Sequence, residues 1–219
     1  EDWLLALEYI KALAKKFDSK IISETGEEYT VDNIDKFDYE GDILYGIEGI
    51  SSRVKGEDST LYSIFGINRI VSFNQEMIDR IENSDSSIDT FSNMVKEIQY
   101  LDAFSANQRF FRNKEDGKII GTYTLTQNLR TILPYKPSVE FENSDMVKNE
   151  DIAFWNIGLV TIDGDENDPN SYQVVGQLDY NDFIKKLPKD KYHFIDASYI
   201  LVEPLSKEKI LGLLEISVN

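Results

Sequence analysis

The sequence predicts an α+β fold, with mostly antiparallel sheets flanked by amphipathic helices. Three observations support this. Helical periodicity is confined to short stretches of unequal length. Runs rich in aromatic and β-branched residues, separated by turn signals, fill most of the second half. No glycine-rich strand-to-helix turn supports a doubly wound nucleotide fold, since Gly46-Ile-Glu-Gly49 lacks the phosphate-loop spacing.

The first helix falls at residues 3–17, where Trp3, Leu7, Ile10, Ala14 and Phe17 recur at spacings of three and four. Asp2 is placed to cap it. A short strand follows at Lys20-Ile-Ile-Ser23, and Gly26 turns the chain toward Tyr29 and a small helical piece at Val31–Phe37. Alternation then predicts strands over 43–73. Ile43, Tyr45 and Ile47 form one, Leu61–Phe65 and Ile67–Phe73 the others, with a polar turn at 51–60. Ser72 and Gln75 have capping-box spacing, Asn74 competes as the cap, and Met77, Ile78 and Ile81 give the next helix its apolar edge. Asn83–Ser87 reads as a linker. Phe91, Met94, Val95, Ile98, Leu101 and Phe104 make the strongest helix, which should end near Ser105–Asn107.

The second half is mostly strand. Arg109–Arg112 and Ile119–Leu125 flank an Asp116-Gly117 step suited to a tight hairpin. Thr131–Leu133 continues the sheet before Pro134 and Pro137 restrict it, and Val147–Glu150 is a short helical or turn segment. Phe154–Ile162 and Tyr172–Val175 should be antiparallel neighbours across an acidic turn. Asp179 caps a helix bearing Phe183, Ile184 and Leu187. Tyr192–Val202 reads as one long final strand, and Ser206 caps a last helix with Ile210, Leu213 and Leu214. Two units are expected, residues 1–106 opening with a helix and residues 107–219 richer in strands, packed together. Ile70–Ile81 and Leu201–Leu213 share one form (strand end, polar cap, amphipathic helix), as two similar α+β units would.

At 219 residues and 41% hydrophobic, the chain has enough apolar side chains for a substantial core. Cysteine is absent, which removes disulfides, thiol nucleophiles and thiolate metal sites. The 23 Lys and Arg stand against 40 Asp and Glu, a net charge of -17 that repels phosphate backbones and anionic membranes and attracts basic partners. Neither nucleic acid nor membrane is therefore expected. No stretch has the length of a membrane span. Glu8 and Lys11 break the only candidate signal segment, and the chain, opening at Glu1, reads as a fragment or processed product.

Candidate sites are few. Asp163-Gly-Asp165-Glu166-Asn167-Asp168-Pro-Asn170 concentrates oxygen ligands of the kind a hard cation takes, and Asp163, Asp165, Asn167 and Asp168 are its metal candidates. Positions 163, 165 and 167 match the first three ligands of a calcium loop. The match then fails at Asp168, where glycine is expected, and at Val174, where a bidentate Glu is expected. A solvated turn without cofactor is the default, and calcium or magnesium the alternative. His193, the only histidine, is expected on a strand with Tyr192, Phe194 and Asp196 on the opposite face, without a catalytic task. Arg109, Arg112, Arg130 and Lys136 are the best anion candidates, although pairing with carboxylates such as Glu140 and Glu142 is the plainer use. No Gly-x-Ser-x-Gly elbow occurs.

Several stretches carry a likeness to a known family. They include Trp3-Leu-Leu-Ala-Leu-Glu-Tyr-Ile-Lys-Ala-Leu-Ala, Asp42-Ile-Leu-Tyr-Gly-Ile, Ile98-Gln-Tyr-Leu-Asp-Ala and Thr131-Ile-Leu-Pro-Tyr-Lys-Pro-Ser-Val-Glu. Val160-Thr-Ile-Asp-Gly-Asp-Glu-Asn-Asp-Pro-Asn-Ser-Tyr and Phe194-Ile-Asp-Ala-Ser-Tyr-Ile-Leu-Val-Glu-Pro-Leu complete it. Over nearly its whole length the chain resembles a family of uncharacterised acidic proteins from streptococci and related bacteria, domain of unknown function 4299. The resemblance implies a cytoplasmic home and an additional amino-terminal portion that this chain lacks. It brings no activity, cofactor or functional residue. The expected function is a soluble, non-catalytic domain for protein interaction or structure, with a basic protein as partner. The alternative is a divalent-cation-dependent or phosphate-recognising hydrolase acting on a small polar substrate.

Overall fold

Burial of apolar side chains divides the chain into two clusters in its computed structural model, which describes residues 2–56 and 61–215. The amino-terminal helix α1 (Asp2–Phe17) buries Leu7 and Ala14. A small antiparallel ribbon follows, β1 (Ile21–Ile22) with β2 (Glu28–Tyr29), then a 3-10 turn at Ile34–Lys36. The Trp3 and Tyr29 rings meet Phe37 at centroid distances of 5.5 and 5.8 Å, and Lys11 pairs with Asp35 at 2.8 Å.

Helix α2 (Tyr39–Val54) corrects the strand expected at Ile43, Tyr45 and Ile47. The Asp38 carboxylate accepts the Gly41 N–H at 2.9 Å and so starts the helix. Ile43, Ile47, Ile50 and Val54 then lie on one face and pack into the first cluster, whereas Tyr45 is 78% exposed. The apparent alternation was an accident of that exposed tyrosine. Residues 57–60 of the expected turn lie outside the described residues.

The hairpin β3 (Tyr62–Phe65) and β4 (Ile70–Phe73) closes this cluster against α3 (Gln75–Glu82) and α4 (Ser87–Gln99). Asn74 rather than Ser72 caps α3, accepting the Met77 N–H at 3.0 Å, while the Ser72 hydroxyl bonds that of Ser63. The expected linker is a tight connection, with Ser86 capping α4. Helix α4 stops at Gln99, short of the expected 105–107. There the Arg69 guanidinium donates to Ile98 O in the last turn at 2.7 Å and to Leu101 O just beyond it at 2.9 Å.

The second cluster lies between two four-stranded sheets. One has the order β10 (Tyr172–Asp179), β9 (Ile152–Ile162), β7 (Ile119–Thr126), β6 (Arg109–Arg112). The other runs β11 (Tyr192–Phe194), β12 (Tyr199–Val202), β8 (Thr131–Pro134), β5 (Phe104–Ser105). Most pairings are antiparallel, but β7–β9 and β5–β8 are parallel. Tyr123, Leu125, Ile157 and Leu159 from the first sheet meet Leu133, Ile200 and Val202 from the second. Helices α5 (Tyr180–Lys186) and α6 (Lys207–Leu214) add Tyr180, Phe183, Ile210 and Leu213. The expected caps Asp179 and Ser206 are in place. Gly117, at φ +71, makes the β6–β7 hairpin turn. Ile132 and Leu201, on the opposite face of the second sheet, are buried as well.

Tyr192–Val202 is a hairpin rather than one long strand. The chain reverses at Asp196–Ser198, and Asp196 does not share a strand face with Tyr192 and Phe194. Its carboxylate accepts the N–H groups of Ser198 and Tyr199 at 2.8 and 2.7 Å, the side-chain turn that Asp favours. Strand β5 ends just before the expected boundary at 106/107, yet it pairs with β8.

The parallel pair depends on one small residue. A Cβ built on Gly121 would meet Trp155 ring carbons at 2.3 Å. The ring stacks on Tyr123 at 5.7 Å and meets Phe110 edge-on at 5.9 Å, so it has little room to yield. Gly121→Ala is expected to lower stability by about 1–3 kcal/mol, measured by urea denaturation with Trp fluorescence as the probe.

Candidate functional site

The β11–β12 turn is tied to the other cluster. Besides its own turn, the Asp196 carboxylate accepts the Ser72 N–H of β4 at 2.9 Å, and Ala197 N–H donates to Ser72 O at 3.0 Å. Ile195 packs against the first cluster. Two hydrogen bonds and one apolar side chain thus join segments more than a hundred residues apart. The carboxylate is 6% exposed, and no cation pairs with it among the described residues. Burial raises its pKa against the pull of the three N–H groups.

Beside this junction lies an open groove of about 760 Å³. Its apolar lining comes from Met77 of α3, from Met94 and Ile98 of α4, and from Leu101 just beyond. Glu76 and Arg80 of α3 and Glu97 of α4 supply exposed charged groups. The hairpin closes the other side with His193, Phe194 and Ile195. His193 is exposed, and its imidazole makes no hydrogen bond among the described residues. A general base needs a group to orient it, and Asp196, which lines the same groove, is committed to backbone N–H groups.

The residues singled out from sequence are used elsewhere. In the acidic turn Asp163 is ion-paired to Lys207 of α6. Asp165 accepts the backbone and side-chain N–H of Asn167 at 2.9 and 3.0 Å, which lowers its pKa. Asp168 caps the 3-10 turn Pro169–Ser171, accepting from Asn170 at 2.9 Å. Among the described residues, no three His, Asp or Glu side chains are grouped to hold a metal ion.

The basic residues do not gather either. Arg130 forks onto Glu203 at 3.2 and 3.3 Å and reaches Asp102 O, while Arg112 donates to Gly117 O. Arg109 and Lys136 are exposed. Glu140, expected to meet an arginine, instead accepts from the Tyr123 hydroxyl at 3.3 Å, and burial raises the pKa of both groups. Gln108 completes that network, donating to Tyr123 at 2.6 Å and accepting from Glu140 N–H at 3.0 Å.

Sequence reasoning missed the groove, the Asp196 junction and the part played by Arg69. Aspartate directly before the two small residues Ala197-Ser198 was the available sign that the strand reverses.

Asp196→Asn keeps the shape but sets an amide NH₂ against N–H donors. We expect it to cost about 1–3 kcal/mol at about pH 4 and less at neutral pH. The folded-state pKa of Asp196 is raised, so this group's contribution is fully present below its unfolded pKa and is lost as pH rises through the folded value. The wild-type lead in urea midpoint should therefore be wider at about pH 4, near the unfolded value, than at about pH 8. For the acidic turn, titration calorimetry with calcium and with magnesium is expected to show no saturable heat below millimolar concentrations, because Asp163, Asp165 and Asp168 already have partners.

No curated protein and no solved structure matches this chain. Residues 1–213 match the family described as Domain of unknown function (DUF4299), and the chain belongs to that family.

Proposed function

We propose that this chain is a protein-recognition domain whose groove beside the Asp196 junction receives a basic segment of a partner protein. The observation that carries this reading is the make-up of the groove. Met77, Met94, Ile98 and Leu101 give it an apolar floor. Methionine side chains are flexible and adapt to differently shaped guests. Glu76 and Glu97 stand over that floor, and Arg80 is the one Lys or Arg among the lining residues. The net charge of -17 adds long-range attraction for a cation-rich partner and repels nucleic acid. A cytoplasmic setting accords with a cysteine-free chain. No described helix is long and apolar enough to cross a membrane.

One observation favours the hydrolase alternative: His193, Arg80 and two glutamates line the same groove. The unoriented imidazole and the engaged oxygens of the acidic turn weigh against it. With a model phosphoester and added magnesium, we expect no turnover above background; a rate abolished by His193→Ala would reverse this preference.

The recognition reading is tested with a fluorescein-labelled peptide of about ten residues alternating lysine and valine, read by anisotropy on the full chain. Binding in the range of tens of micromolar is expected at about 50 mM salt, weakening several-fold at about 300 mM. Glu76→Gln with Glu97→Gln should weaken it about tenfold, and a glutamate–valine peptide should not bind. No saturable binding of the lysine peptide, or equal binding by the double variant, would overturn the proposal.

A further inference from the structure

We infer that the partner segment docks as an added strand, pairing with the open edge of β11 along the groove. This deepens the groove proposal and rests on it.

Backbone geometry is the starting point. Strand β11 pairs with β12 alone and forms one edge of its sheet. In an antiparallel pair, successive residues direct their N–H and C=O alternately toward the partner and away from it. Ile195 N–H donates to Tyr199 O at 3.0 Å, and Glu203 N–H donates to Lys191 O at 2.8 Å. Residues 191, 193 and 195 therefore bond toward β12. Tyr192 and Phe194 direct their N–H and C=O outward, and among the described residues nothing bonds the outward groups of Phe194. An unpaired edge of this kind is a template for a further strand.

The other edges of the two four-stranded sheets carry features that discourage pairing. Strand β10 is bulged between Val174 and Gly176. Strand β6 has an arginine at each end, and β5 is only two residues long. Strand β11 is itself only three residues, but it has neither a bulge nor an Asp, Glu, Lys or Arg; Phe194 is 51% exposed, its ring on Tyr135 at a centroid distance of 4.8 Å. It is also the edge that borders the groove, since His193, Phe194 and Ile195 line it.

The occupant follows from these surroundings. Side chains of an added strand alternate between the two faces of the sheet. His193 lines the groove together with Met77, Glu76 and Glu97, so the half of the guest on the His193 face is best served by lysine or arginine stems. Those on the Phe194 face meet the exposed aromatic ring and favour β-branched residues. The fitting partner is an extended segment alternating basic and β-branched residues, in a protein rather than a nucleic acid.

Three peptides test this on the full chain. They are the lysine–valine probe and two versions N-methylated on every second residue, one blocking each edge of the extended peptide. The unmodified peptide should bind and slow amide exchange at Phe194 and Tyr192 at least five-fold at saturation. Methylation of one edge should weaken binding more than ten-fold, and methylation of the other should leave it within two-fold. If the peptide binds but both methylated forms bind equally, or if the Phe194 amide exchanges unchanged, strand addition is overturned and the groove proposal stands. If no peptide binds saturably, both are overturned. Phe194→Pro removes an N–H that β12 does not use. It should leave the chain folded, with a urea midpoint lowered by the lost Tyr135 contact, and abolish binding; retained binding counts against the inference.

Discussion

One carboxylate holds the arrangement together. Asp196 lies where the β11–β12 turn meets β4, and its two oxygens receive three backbone N–H groups from both sides of that contact. A buried anion without a cation is normally costly, because desolvation disfavours the charged form. Here the donors are backbone amides fixed by two hairpins, so little ordering remains to be lost when they bond it. The position of the hairpin, and with it one wall of the groove, depends on this anchor. Arg69 plays the reciprocal part with opposite sign, a half-buried guanidinium gathering the carbonyls at the end of α4. Burial lowers its pKa in turn. At the Asp196 junction the clusters meet through a carboxylate on main-chain N–H, a main-chain hydrogen bond and the Ile195 side chain, rather than through an ion pair.

That chemistry bears on the strong acidity of the chain. Its surplus carboxylates do not converge into a site among the described residues. Many close their own turns, as Asp38, Asp165, Asp168 and Asp179 do. Others make exposed pairs such as Lys20–Glu28 and Lys185–Asp182, which contribute little individually. Glu76 and Glu97 differ only in standing beside an apolar groove. What distinguishes the groove is therefore the combination of charge and apolar surface, not charge alone.

Local signals in the sequence were dependable where the deciding contacts were local. The caps at Asp179 and Ser206, the Asp116-Gly117 hairpin and the antiparallel β9–β10 pair all involve neighbours within a few residues or across one turn. The errors arose where two periods fitted the same residues, as at Ile43, Tyr45 and Ile47, or where a side chain redirected the backbone. Arg69 ended α4 early from thirty residues upstream, and Asp196 folded an apparent strand back on itself. The groove was illegible for a simpler reason. Its walls come from residues 74–101 and 193–197, and no periodicity links them. The acidic turn drew attention because its unusual residues are adjacent in sequence, and Asp165 and Asp168 there accept N–H groups of their own turn.

The Ser72–Asp196 bond has a kinetic side. It spans 124 residues, and closing a loop of that length costs on the order of 4 kcal/mol in chain entropy. Helices α2 to α4 and their hairpin make mostly local contacts, so they gain stabilisation before such closure is required. Docking of the β11–β12 hairpin onto this half completes two things at once, the long-range closure and the cleft itself. Until that closure the apolar Ile195, which packs on the first half, stays uncovered, and such exposed surface is where self-association competes with folding.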